Sequence, residues 1–224
     1  MSRKVLVVLV MFLWMAVPGV ATAGVIVQST FDLSDEGWLV GDLFSGFGAF
    51  IPTYLAIGGN PGGYISTGDF YDWNAYHAPA AFLGNQSAAY AGTLHLDQRI
   101  LSSDGVDYPM VMLSDGSLIL QFRTTPPGTS WTAYDIPLLA SAGWEISDGW
   151  SGDPGPAASE AQLQAVLSSL TFLNIEADWQ TGFDQVDLDN VRLESAGAEV
   201  PEPASLVLFG TGLVGLRAWR KRRQ

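Results

Sequence analysis

The sequence contains no cysteine. Disulfides cannot staple its fold, and a thiolate nucleophile or thiolate metal site is excluded. Cationic residues are almost as scarce over most of the length. Seven of the ten Lys and Arg lie at the ends, as Arg3, Lys4, Arg217, Arg220, Lys221, Arg222 and Arg223. Between Gly24 and Val200 there are three Arg, no Lys and 22 acidic residues, so that stretch carries −19 against −13 for the whole chain. Such a body repels nucleic acid and anionic lipid surfaces and attracts divalent cations. An ordinary acidic surface that keeps an exported protein in solution accounts for the same charge. Histidine is limited to His77 and His95, and neither H-E-x-x-H nor G-x-S-x-G occurs. "GGNPGG" lacks the Lys-Ser/Thr of a phosphate loop, so Asn60-Pro61 marks a turn. Carboxylates are too numerous for a glycosidase pair to stand out. No catalytic residue is assigned, and the chain is read as non-enzymatic.

What is present is apolar, aromatic and rich in turns. Of the 224 residues, 48% are hydrophobic and 12% aromatic, with 25 Gly and 12 Pro. That composition predicts one folded, mostly β domain with a sizeable core. Short alternating segments recur between Gly, Pro, Asp and Ser clusters. In "GTLHLDQRIL", Leu94, Leu96, Gln98 and Ile100 share one face, with Thr93, His95, Asp97 and Arg99 opposite. "GVIVQSTF", "YPMVMLS", "SLILQFRT", "TSWTAYDIPL" and "LTFLNIEADW" extend the set, and about eight to ten strands argue for a β-sandwich. One segment has helical spacing: Leu163, Val166, Leu167 and Leu170 form a stripe over about 159–170, with Ser159 and Gln162 as a capping box.

Both ends look like addresses. Arg3 and Lys4, the apolar run Val5–Val17, and Ala21-Thr22-Ala23 before Gly24 form the three parts of a secretory signal peptide over 1–23. At the other end, the 13 residues Ala204–Leu216 precede a basic tail. As a helix they reach only about 20 Å, short of a ~30 Å hydrocarbon core, which suits a transient hold better than permanent anchoring. The order Pro201-Glu202-Pro203, glycine-containing apolar helix, then Arg/Lys over 199–224 resembles the PEP-CTERM sorting signal of bacterial exported proteins. The resemblance implies cleavage near Pro-Glu-Pro by an exosortase-type protease after signal peptidase has acted at Ala21 and Ala23. It also implies transient membrane association and delivery to the cell envelope, outer surface or exopolysaccharide matrix.

The body, 24–198, resembles the laminin B (laminin domain IV) module. "FDLSDEGW", "GGNPGGYIS", "APAAFLGNQSAAYAGTL", "PPGTSWTAYDIPL", "ASEAQLQAVLSSLTFLNI" and "LDNVRL" occur in that module's order. This implies a jelly-roll β-sandwich, similar to galactose-binding-like domains and carbohydrate-binding modules, and no catalysis. The cysteine-rich repeats that flank the module in animal laminins are missing here, so laminin assembly is not carried over.

Two ligand expectations follow. Related sandwiches lay the first and last strands side by side and hold a structural Ca²⁺ between an acid from each, here Asp32 and Asp189; sulfur-free, oxygen-rich ligands suit that ion. Strand alternation without a bulge in "VDLDNVRL" places Asp187, Asp189 and Val191 on one face, with Val186, Leu188 and Asn190 on the other. Solvated, turn-ending aspartates remain the alternative. For carbohydrate, "TGDFYDWNAYH" gathers aromatic rings and hydrogen-bonding side chains in a stretch with loop character, so Tyr71, Trp73, Asn74 and Tyr76 are candidate contacts, with Trp150 at a second loop. Packing in the core competes for each of these rings. Three functions stay open: an exported, non-catalytic polysaccharide-binding or adhesion module; a structural surface or matrix protein without specific sugar binding; and, less favoured, a hydrolase.

Overall fold

The computed structural model describes residues 23–44, 49–70, 73–105 and 107–197. Twelve strands and one helix follow in chain order: β1 Val25–Ser29, β2 Leu39–Asp42, β3 Thr53–Leu55, β4 Tyr64–Gly68, β5 Asn74–His77, β6 Thr93–Ile100, β7 Val111–Ser114, β8 Ile119–Phe122, β9 Thr132–Pro137, β10 Glu145–Ile146, α1 Glu160–Ser168, β11 Phe172–Glu176 and β12 Gln185–Glu194. They form two antiparallel six-stranded sheets. The first runs β3-β4-β12-β6-β9, with β1 also paired to β12; the second runs β10-β8-β7-β11-β5-β2. This is a jelly-roll-like sandwich. Residues Ala23–Gly197 form one compact unit. The signal-peptide and sorting-tail residues Ala21, Pro201, Glu202 and Pro203 lie outside the described residues, as does Tyr71.

Period-two alternation builds the core. Leu94, Leu96, Gln98 and Ile100 of β6 turn inward as expected, joined by Tyr134 and Ile136 of β9, and meet Val40, Tyr76, Leu113, Leu120 and Ile175 of the second sheet. Trp38, Trp144 and Trp179 are fully buried, and each indole N–H finds an acceptor: Ser29 Oγ at 2.9 Å, the Pro137 carbonyl at 2.9 Å and Gln98 Oε1 at 3.1 Å. A buried indole keeps its apolar contribution only when its N–H is so matched.

The last strand departs from simple alternation. Its register shifts between Asp189 and Arg192, and Asn190 takes a left-handed backbone with φ 50°. Asn is among the few residues that tolerate this conformation. The extra residue returns Val191 to the core beside Val186 and Leu188, where unbroken alternation would face it outward. The bulge-free expectation is thereby corrected.

α1 starts at the capping box: Gln162 N–H donates to Ser159 Oγ, and the Gln162 side chain accepts from Ser159 N–H at 2.9 Å. Leu163, Val166 and Leu167 are buried, and Leu170, just past the helix, completes the apolar stripe from an extended segment. On the outer face of the second sheet, Gln121 Nε2 donates to the Asp153 carbonyl and Asn174 Nδ2 to the Leu43 carbonyl, both at 2.7 Å. The segment after β2 and the Gly-rich loop before α1 thus lie across that face.

Candidate functional site

Antiparallel pairing brings the end of β4, the start of β5, the start of β7, the end of β11 and the start of β12 to one end of the sandwich. Their connections enclose a cavity of about 330 Å³. The β4–β5 connection contributes Asp69 and Trp73, the approach to β7 contributes Tyr108, and the β11–β12 connection contributes Asp178 and Gln180 to Gly182. Trp73 is wedged edge-on between Phe44, at 5.1 Å between ring centres, and Tyr108, at 5.9 Å. Asn74 Nδ2 donates to Asp69 Oδ1 at 3.2 Å, and the Thr181 N–H donates to Asp104 Oδ2 at 2.9 Å, fixing two sides of the opening. Exposed Phe70 and Phe183 flank it in the sequence, with the Phe183 ring against Gly68.

Behind Asp69 and Asp178 stand two more acids. Glu176 is fully buried; its Oε1 accepts from the N–H groups of Ala177 and Asp178, at 3.2 and 3.0 Å. Asp184 is 1% exposed, and its Oδ2 accepts from Trp179 N–H at 2.8 Å. The second oxygens, Glu176 Oε2 and Asp184 Oδ1, are buried without a hydrogen-bond partner. Burial, then the charges of Asp184 and Asp69, pushes Asp178 up to about 7. Burial, with the Asp69 charge adding to it, pushes Asp184 up to about 6. Glu176 is held well above the carboxylate range by burial and then by Asp178. The three Arg among the described residues are engaged elsewhere. Arg99 pairs with Asp187 at 2.7 Å and lies over Tyr64 and Trp131; Arg123 is 3.6 Å from Glu145; Arg192 pairs with Glu194 at 2.5 Å.

The expected carbohydrate contacts divide. Trp73 lines the cavity. Asn74 is fully buried and braces Asp69 rather than facing solvent. Tyr76 is also fully buried, packed in the core with its hydroxyl donating to the Val186 carbonyl at 2.6 Å, so its ring cannot stack on a sugar. That assignment is corrected: the short strand β5 turns Tyr76 inward toward the first sheet. Trp150 is 77% exposed but stands on the loop over the second sheet and is not part of the cavity lining. Sequence reasoning missed Tyr108, Asp178 and Gln180, which reach the cavity from connections distant in the chain.

Asp32 and Asp189 approach the same glycine-rich turn. Asp189 is fully buried and accepts from the Asn60 and Asn190 N–H groups, at 2.5 and 2.7 Å. A Cβ on Gly59 would stand 2.6 Å from Asp189 Oδ2, and one on Gly62 would collide with Asp32 Oδ1, so glycine is what lets the turn reach both acids. Asn60 Nδ2 donates to Asp97 at 3.1 Å, and Asn190 Nδ2 donates to the same carboxylate oxygen at 2.8 Å. Burial, followed by the charges of Asp97 and Asp32, pushes Asp189 up to about 6 despite its two N–H donors. Among the described residues, no three His, Asp or Glu side chains are placed to hold a metal together. An ion here would need Asp32 and Asp189 supplemented by backbone carbonyls.

Residues 75–207 match Laminin B (Domain IV), and residues 199–223 match the PEP-CTERM protein-sorting motif. The L4b domain of human laminin alpha-2 has a TM-score of 0.60 at 15% identity, covering 77% of this chain and 99% of that domain. The family 11 carbohydrate-binding module of a cellulosomal cellulase of Clostridium thermocellum has a TM-score of 0.44 at 16% identity, covering 77% of this chain and 97% of that one. No curated protein matches the chain.

Proposed function

Because the chain belongs to the Laminin B (Domain IV) family and carries a PEP-CTERM protein-sorting motif, we propose that it is an exported, non-catalytic polysaccharide-binding or adhesion module of the cell surface or extracellular matrix. Signal peptidase and an exosortase-type protease would process its two ends. The observation that carries the binding function is the loop-end cavity, where the Trp73 and Tyr108 rings stand beside carboxyl, amide and hydroxyl groups. Rings offer apolar faces to a sugar while the polar groups fix its hydroxyls, the usual division of labour in a small-ligand site. Asp32 and Asp189 support a structural Ca²⁺, whose positive charge would offset the repulsion among Asp32, Asp97 and Asp189. The ion would brace the glycine turn and take no part in sugar recognition.

The test is retention of the full chain on polysaccharide from the producing cell's matrix. Trp73→Ala and Tyr108→Ala should each weaken retention at least tenfold while the protein stays folded, and no reducing ends should be released. Equal retention of wild type and both variants would leave a structural matrix protein as the better description. An EGTA arm reads the ion: chelation should lower the thermal midpoint by several °C, and Asp189→Ala should abolish that difference.

A further inference from the structure

We propose that the loop-end cavity selects a protonated amine, specifically an amino-sugar unit of a polysaccharide, with Asp69 and Asp178 receiving the ammonium group and Trp73 and Tyr108 packing on the ring. This rests on the carbohydrate-binding reading above and narrows it to a substrate class. Four carboxyl groups, Asp69, Asp178, Glu176 and Asp184, gather at one end of the sandwich. All three Arg of the described residues are committed to other acids. His95 lies with Asp97 and Asp135 on the first sheet. Buried carboxyls need a counter-charge, a hydrogen-bond donor or a proton. Glu176 and Asp184, 0% and 1% exposed, each keep one oxygen with no donor on it among the described residues. The cluster therefore leaves a proton, or a cation brought from outside, as the counter-charge its carboxyls lack, next to an open cavity.

The lining distinguishes an organic cation from a bare metal ion. Ca²⁺ requires six to eight oxygens at about 2.3–2.6 Å, and the described residues contain no convergent group of three metal-binding side chains. Two of the lining residues, Trp73 and Tyr108, bring aromatic rings to the cavity rather than carboxylate or carbonyl oxygens. An ammonium group, in contrast, is attracted both by carboxylates and by the faces of Trp and Tyr rings. The volume, about 330 Å³, lies at the lower end of the range for small-ligand sites. The attached sugar would extend past Thr181 and Gly182 toward the exposed Phe70 and Phe183 rings.

Calorimetry of the full chain at neutral pH, with three probes, tests this directly: the β-1,4-linked glucosamine hexamer, its fully N-acetylated form and cellohexaose. The free-amine hexamer should bind at least tenfold more tightly than either of the others, and added salt should weaken it. Asp178→Asn and Asp69→Asn should erase that preference without lowering the thermal midpoint. Asp153→Asn, an exposed acid on the far loop, should leave it intact and so separate the cavity from general attraction to an acidic surface. Equal affinity for all three probes, or a preference that survives Asp178→Asn, overturns the inference. Binding of Ca²⁺ alone, lost in Asp178→Asn, would make the cavity a metal site and overturn it also. Trp73-dependent binding of the neutral probes without amine preference removes the inference and leaves the carbohydrate reading standing. Failure of every probe together with failure on matrix polysaccharide removes both.

Discussion

Asn190 does two jobs that no other common residue combines. Its left-handed backbone makes the bulge in β12, and its amide ties Asp97 to the Asn60 carbonyl across the glycine-rich turn. Asn190→Ala should cost about 2–3 kcal/mol in urea unfolding, from the left-handed conformation and from the lost charge-assisted bond. Asn190→Gly retains the backbone and loses only the bonds, so it should cost less. The reverse order would show that backbone strain is not what makes Asn190 valuable. Single residues were also where sequence reading was weakest. Trp73 stands out in an aromatic, polar stretch, and the structure places it in the cavity lining. Tyr76 sits in the same stretch and is core, because which side of a four-residue strand faces inward depends on partners elsewhere in the chain. Tyr108 and Asp178 carry no local signal; they matter only because two connections some 70 residues apart meet at one cavity.

Elements with a complete local signature could be read directly. The capping box and apolar stripe of α1 predict its start and its buried face, and the structure has both. Ser159→Ala removes the acceptor for Gln162 N–H and should destabilise the domain by about 1 kcal/mol; an unchanged denaturation midpoint would mean that packing alone holds the helix. The alternation in β6 gives its core face correctly at Leu94, Leu96, Gln98 and Ile100, while Asp97 on the opposite face is buried too, under Asn60 and Asn190. β12 shares that period but hides a bulge, since nothing in Asp-Leu-Asp-Asn-Val states that an extra residue is inserted there. Bulges are set by what the neighbouring strands require. Strand number was underestimated for a related reason: β3 and β10 span three and two residues, too short to show a period.

Across the whole molecule, the acidic balance has a thermodynamic consequence. Asp178, Asp184 and Asp189 rise to about 7, 6 and 6 in the fold, against about 3.9 in an unfolded chain. Between these values the folded state holds more protons than the unfolded one, so stability falls as pH rises. Their stabilising protonation is complete below about pH 4 and is lost through pH 6–7. His95, raised first by its bond to Asp97, adds a loss in the same direction. Asp115 and Asp148, lowered by backbone N–H donors, work oppositely, giving stability that disappears as acid protonates them. Without added divalent ion or ligand, the thermal midpoint should therefore be several °C higher near pH 5 than at pH 8, which calorimetric scans across that range can check. A flat profile would mean that these carboxyls are better solvated than their burial implies.

The placement of β12 also sets an order of events. It is the last strand in the chain, yet it lies inside the first sheet, between β4 and β1 on one side and β6 on the other. Before Gln185–Glu194 is available, the β3–β4 hairpin and the antiparallel pair β6–β9 are separate, and β1 has no neighbour to pair with. Joining strands so far apart in sequence is entropically slow and rewarded only at the end. A chain that becomes available from its first residue thus has no completed first sheet until almost all of it is present. For this topology closure comes late, and the arrival of the final strand turns separate pieces into a finished domain.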